Sequence, residues 1–289
     1  MKIGTYLGAV KYLATADTQY ARLRELGYDT LHERAEDTRM PLYRDSRELE
    51  AFCRERRQAA MHHGIEISQL HGPWPTDDTS EESRRQGMAY MRTAVLACHL
   101  LECRHLILHP VMPYGRAKDE DADTAEEMTA RRLEDLLADC ERYGVILCLE
   151  NMPFRGQRIS PPARIASLVC RIQSPNLGIC LDTGHANVLG VDAGDAVRCC
   201  AENLRVLHVH DNNGNTDAHM LPFTGTVNWT SFTSALAEIG FAGSLDLECT
   251  GPVSGHMPKD LRKQGESLTY LTARRLSDMV EAARVKTNA

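Results

Sequence analysis

The chain has 289 residues, 43% hydrophobic and 25% charged, which is ordinary for a soluble globular enzyme and ample for a sizeable core. Its net charge of −7 argues against a nucleic-acid partner, since phosphate binding normally leaves a basic footprint. No run approaches the roughly 18 apolar residues of a membrane span, the first residues read as a strand rather than a signal peptide, and the ten cysteines lack C-x-x-C spacing; a cytoplasmic protein with reduced thiols is expected.

From the N-terminus onward, strand-like runs alternate with segments of helical period. The predicted strands are residues 2–6, 30–33, 65–70, 105–109, 146–150, 177–182, 206–210 and 244–248. Between them the pattern predicts helices over 17–26, 46–62, 80–101, 124–143, 161–172, 192–203 and 229–239, with a closing helix over 261–284. Asp17 and Ser80 are placed to cap helices, and Pro161-Pro162 suits a first turn. Gly27, Gly64, Gly144 and Gly240 stand where left-handed C-caps are needed. Residues 118–123 form an acidic run, read as a solvated face, and His62-His63 near a helix C-terminus read as structural. Eight such units without a linker predict one domain over 1–289, a (β/α)8 TIM barrel of the α/β class. A doubly wound sheet would need a Gly-rich phosphate turn after the first strand, which Gly4-Thr5-Tyr6-Leu7-Gly8 does not supply.

In a barrel the chemistry gathers at the C-terminal ends of the strands. The third to eighth strands end, in order, at His71, His109, Glu150, Asp182 (with His185 three residues on), His208 and Glu248. Any one of these has an ordinary structural role open to it. Together they bring several carboxylates to one barrel mouth, at a cost of several kcal/mol in desolvation and repulsion unless a cation neutralises them. A divalent metal site is therefore expected. Glu33, ending the second strand, is expected to reach this site or to pair with Arg34.

Leu149-Glu150-Asn151, Leu181-Asp182-Thr183-Gly184-His185, His208-Val209-His210-Asp211-Asn212 and Leu247-Glu248 carry a resemblance. Over nearly its whole length the chain resembles the xylose isomerase-like barrels, which include sugar isomerases and epimerases, inosose-processing enzymes and endonuclease IV. The ketose 3-epimerase branch implies one Mn, Co or Mg ion held by Glu150, Asp182, His208 and Glu248. His208 is the match because it stands three residues before Asp211, and His210 is expected to turn into the neighbouring layer. The implied chemistry is proton transfer beside a carbonyl through a metal-stabilised cis-enediolate. Glu150 and Glu248 would flank the substrate, one removing a carbon-bound proton and the other returning one, while His185 bonds a hydroxyl or the developing oxyanion. The implied partner is a small sugar, a sugar phosphate or a polyol-derived keto sugar, with no membrane and with homo-oligomerisation left open.

Endonuclease IV implies a competing template, a trinuclear zinc site. By motif position it would draw on His71, His109, Glu150, Asp182, His185, His208, Asp217, His219 and Glu248. On that template two or three zinc ions serve a phosphoesterase of small esters; abasic DNA is disfavoured by the acidic chain and by loops without basic, aromatic-interleaved runs. Otherwise Asp217 and His219 orient sugar hydroxyls. A sugar-binding barrel without catalysis is disfavoured by the retention of both Glu150 and Glu248.

Two departures from the family patterns stand out. Pro222-Phe223-Thr224-Gly225 replaces Pro-Gly-x-Gly, so a wider turn is expected, with Phe223 closing over the site. Gly214 replaces the arginine that ketose epimerases place six residues after the metal histidine. Trp74 is a candidate to stack on a sugar face, and Arg155 and Arg158 to hold an anionic group.

Overall fold

Strands β1 (Ile3–Tyr6), β2 (Thr30–Arg34), β3 (Glu66–His71), β4 (His105–Leu108), β5 (Ile146–Glu150), β6 (Leu177–Asp182), β7 (Leu204–His208) and β8 (Leu245–Leu247) form one parallel sheet in the computed structural model, which describes residues 1–74, 80–113, 123–249 and 257–287. The strand order is β7-β6-β5-β4-β3-β2-β1-β8. The ends meet where the Val209 N–H donates to the Asp246 carbonyl at 2.9 Å and the Glu248 N–H donates to the Val209 carbonyl at 3.0 Å. All eight predicted strands are thus present, and the architecture is a (β/α)8 barrel.

Helices α1 (Ala16–Leu26), α2 (Ser46–His63), α3 (Glu81–Leu100), α4 (Thr124–Tyr143) and α5 (Pro162–Ile172) follow the first five strands, and α6 (Thr183–Val188), α7 (Ala193–Cys200), α8 (Trp229–Glu238) and α9 (Lys259–Thr287) complete the shell. Their stops follow the glycine rule, with Gly27, Gly64, Gly144 and Gly240 all at positive φ. Ser80 caps α3 as expected, but Asp17 does not cap α1. Thr15 does so, because Thr18 stands three residues on and the two side chains satisfy each other's backbone N–H groups. The short α6 shows no apolar periodicity. It forms because the Asp182 side chain accepts the His185 N–H at 2.6 Å.

The strands sort their side chains by alternation. Alternate positions such as Leu31, Leu147, Leu149, Leu181, Leu207 and Leu247 join the apolar cluster shared with the helices, while Ile107, Ile146, Cys148, Cys180 and Val206 form a separate cluster. Among the described residues no disulfide is formed. Among the described residues no helix is long and apolar enough to cross a membrane. Of the acidic run at 118–123, all but Asp123 lies outside the described residues.

Candidate active site

The site is a continuation of the small interior cluster. Two residues beyond Ile107, Cys148, Cys180 and Val206 stand His109, Glu150, Asp182 and His208, so each shares the parity of an apolar residue below it. Gln69 and Asp246 precede His71 and Glu248 in the same way. The strand-end residues singled out in the sequence therefore converge at one mouth.

With neighbours they fall into three adjoining groups, within each of which the ligand atoms lie within 4.8 Å of one another, and Cys180 joins Glu150 and His208 in a fourth among the described residues. The central group is Glu150, Asp182, His208 and Glu248. His208 Nδ1 lies 2.9 Å from Glu150 Oε1 and 2.7 Å from Glu248 Oε2. One imidazole nitrogen carries one hydrogen or one lone pair, so it cannot satisfy both carboxylates, whereas a divalent cation would accept all three side chains and Asp182 as well. The donor set, one imidazole and three carboxylates, fits Mn, Co, Mg or Zn.

The second group is His71, His109 and Glu150, with His109 Nε2 at 3.0 Å and His71 Nε2 at 3.7 Å from Glu150 Oε2. The third is His185, His210, Asp217 and His219. Asp217 Oδ2 sits 3.2 Å from His185 Nε2 and 3.3 Å from His219 Nε2. The Nδ1 atoms of those two histidines lie 2.7 Å from the Asn151 carbonyl and 2.6 Å from the Glu248 carbonyl. A carbonyl accepts only, so both rings carry hydrogen on Nδ1.

Burial raises the cost of every charge here, and the neighbours decide the outcome. Burial would raise Glu150 and Glu248, yet His208, joined by His109 at Glu150, holds both well below the usual carboxylate range. Burial would lower His185 and His219, but Asp182 and Asp217 lift His185 to about 10, and Asp217 with Glu248 lifts His219 to about 9. His109 goes down, mainly by burial, although Glu150 opposes it.

Three expectations need correction. His210 does not turn away: its Nε2 lies 3.0 Å from Asp182 and 3.6 Å from Asp217 Oδ1. Residues two apart on a strand share a face, so alternation sends His210 the same way as His208. Gly184 makes room for it, since a Cβ there would lie 2.0 Å from His210 Cε1. Glu33 neither enters the site nor bonds the Arg34 side chain. It faces the helices, accepts the Tyr20 hydroxyl at 2.5 Å and pairs with Arg56 at 3.3 Å. Phe223 takes a left-handed backbone (φ 72) where the family has glycine, and it packs edge-on against Trp229 instead of covering the site.

A cavity of about 650 Å³ opens above the groups. His71, His109, Glu150, His185, Asp217, His219 and Glu248 form its polar floor, and Trp74, Met152, Pro153, Phe154 and Val188 form an apolar wall. Trp74 stands edge-on to His109 with ring centroids 4.4 Å apart. Arg155 is spent on the loops, donating to the Val188 carbonyl at 2.9 Å and the Gly214 carbonyl at 2.7 Å; Arg158 is exposed, and neither lines the cavity. Asp211 and Asn212 shape the loop: the Asp211 carboxylate accepts from the N–H groups of Gly225 and Val227 and from the Trp229 indole. Sequence reasoning missed His32, which is fully buried beside His208. Its inward parity is shared with Thr30, whose burial only the fold reveals, so no pattern in the sequence marked it.

Residues 20–273 match the family described as xylose isomerase-like TIM barrel. An uncharacterised protein of Methanocaldococcus jannaschii is 30% identical over 175 residues, 58% of each chain. A second uncharacterised relative, from Sinorhizobium fredii, is matched over 63% of its length. The D-psicose 3-epimerase of Ruminiclostridium cellulolyticum is 26% identical, over 86% of this chain and 83% of its own. A probable endonuclease 4 of Oleidesulfovibrio alaskensis is 29% identical over 48% of this chain and 50% of its own. Among solved structures, a D-tagatose 3-epimerase-like protein superposes with a TM-score of 0.77 at 21% identity, covering 100% of both chains. The IolI protein with a bound zinc atom gives 0.75 at 17% identity, over 98% of this chain and 99% of its own. At those identities the superpositions establish the fold.

Proposed function

Because the chain belongs to the xylose isomerase-like TIM barrel family, we propose that it is a divalent-metal-dependent sugar epimerase or isomerase that moves a proton at a carbon beside a carbonyl. The observation that carries this reading is the approach of Glu150 and Glu248 to a single nitrogen of His208 at the floor of a sugar-sized cavity. Similarity to a D-psicose 3-epimerase along most of the chain supports it.

Glu150, Asp182, His208 and Glu248 would hold the ion, which supplies Lewis-acid stabilisation of charge developing on a carbonyl oxygen. The two glutamates divide the proton work unequally. Glu150 is fully buried and lies near His71, His109 and His208, so its oxygens are heavily engaged. Glu248 is more open, with 15% of its side chain exposed and His208 as its near partner, so it is the better placed to take a proton from carbon. Glu150, which meets Glu248 at the same His208 nitrogen, would serve the other face, handing on a proton that it takes from solvent. His185, held between the Asn151 carbonyl and Asp217 and pushed up to about 10, would place a positive charge beside the substrate's oxygens. Trp74 and Phe154 give the ring carbons an apolar face and keep water out.

The test is turnover on a ketose panel. Glu248→Gln keeps shape and hydrogen bonding, and we expect a loss of at least about 100-fold in kcat, the usual share of a general base. A fully active Glu248→Gln removes it from the mechanism.

A second reading is favoured by the third group, where His185, His210, Asp217 and His219 converge beside the central one. It is the multi-zinc phosphoesterase, acting on a small phosphate ester. Elemental analysis separates the two: one equivalent of Mn, Co or Mg per chain supports the epimerase, and three of zinc with phosphatase activity support the alternative.

A further inference from the structure

His208 has two nitrogens, and only Nδ1 faces the carboxylates. Its Nε2 is buried and has no oxygen or nitrogen partner among the described residues, although the Cys180 thiol, a weak hydrogen-bonding group, lies beside the ring. Histidines that bind a metal through one nitrogen almost always give the other to an outer hydrogen-bond partner, which fixes the ring and tunes its basicity. His32 lies against the same ring. It is fully buried, both of its own nitrogens lack a hydrogen-bond partner among the described residues, and its ring stacks on His208 with centroids 4.6 Å apart and planes within 17°. It also lies parallel to His71, at 5.8 Å and 9°. Stacked rings point their nitrogens along parallel planes, so these histidines cannot hydrogen-bond one another.

More unspent capacity lies in the same interior. Gln69 donates its amide to the Leu207 carbonyl at 3.3 Å, and its Oε1 has no partner among the described residues. Asp246, two residues before Glu248, uses Oδ1 on Thr30 and Ser68, both at 3.1 Å, while Oδ2 makes no hydrogen bond of good geometry among the described residues. Gly4 makes room for it, since a Cβ there would lie 1.7 Å from Asp246 Oδ1. Buried polar groups that lack protein partners are the usual hosts of internal water, which bonds two to four of them at once.

We propose that His32 is a positioning residue of the metal centre, stacking on His208 and holding ordered water inside the barrel as the outer partner of His208 Nε2. This rests on the reading of Glu150, Asp182, His208 and Glu248 as the metal ligands. His32 acts on the ring and its water, while the ion is held by the four residues above. Asp246 and Gln69, two residues before Glu248 and His71, would offer that water further oxygens.

The experiment measures Co²⁺ affinity by chelator competition, together with the visible spectrum of the Co²⁺ form and the melting temperature. His32→Phe keeps a stacking ring and removes both nitrogens, whereas His32→Asn keeps polar atoms and removes the ring. For His32→Phe the expected result is a folded chain with Co²⁺ affinity down about 10-fold and shifted visible bands. His32→Phe binding Co²⁺ like wild type, with the same spectrum, overturns the proposal. Complete loss of binding in a folded variant also overturns it, by making His32 a ligand. If His32→Phe does not fold, His32→Asn decides by the same affinity and spectrum. A crystal structure of the native chain decides independently: ordered water bonded to His32 and to His208 Nε2 is expected, and a dry interior contradicts the role. Failure of the wild type to bind any divalent ion would instead sink the metal reading itself.

Discussion

Asp246 shows how far a single buried residue departs from solution chemistry. Burial pushes its carboxyl up to about 6, and the hydroxyls of Ser244, Ser68 and Thr30 only partly offset this. Below the unfolded value near 3.9 both folded and unfolded chains hold the proton, so the advantage of the raised group is fully present. As the pH rises through about 6 that advantage is lost, because the folded chain must then ionise a carboxyl in its interior. Asp246→Asn removes the titration, so we expect the variant to gain on wild type by about 2 kcal/mol between about pH 4 and about pH 7. Urea unfolding of the metal-free chains at both pH values measures it, and a pH-independent difference would contradict the assignment. The residues of the mouth were legible because six strand ends carried His, Asp or Glu in succession. His32 was not, because one histidine inside a strand has no pattern of its own, and what marks it is a ring stacked on His208 from another strand. His210 was visible but misdirected, and correct use of the two-residue strand period would have placed it beside Asp182.

At the scale of elements, boundaries were legible wherever a local physical device sets them. Glycine stops and strand alternation placed most ends within a residue or two. α6 escaped notice because a single side-chain cap, Asp182 to His185, makes it, and six residues are too few for a period. The start of α1 was misassigned for a similar reason, since Asp17 is a good capping type but Thr15 has the reciprocal partner at the right spacing. Thr15→Ala should therefore cost about 1 kcal/mol, while Asp17→Ala, which gives up a first-turn charge and surface contacts with His62 and His63, should cost a few tenths. Thermal unfolding of the two variants checks this, and the reverse order would restore Asp17 as the cap. The loop after His219 was half legible. Its lost glycine was evident, but a phenylalanine in the left-handed region packing on Trp229 depends on a contact with α8 that no local rule reports.

For the whole molecule, the eightfold recurrence of one strand and one helix specified the barrel, since errors of a residue at each end do not change the count. The barrel in turn explains why residues from 71 to 248 in sequence meet at one mouth, over a cavity walled by Trp74, Met152 and Phe154. The choice between proton transfer at carbon and phosphate chemistry was not legible, because both use the same ligand types in the same order. The measurement that reaches that choice most directly is exchange with solvent. The metal-loaded chain is incubated with ketoses in D₂O, and the recovered sugars are examined for deuterium at the carbon beside the carbonyl. Deuterium incorporated there, and absent with Glu248→Gln, is the predicted result; no incorporation into any ketose by the metal-loaded chain would contradict the account.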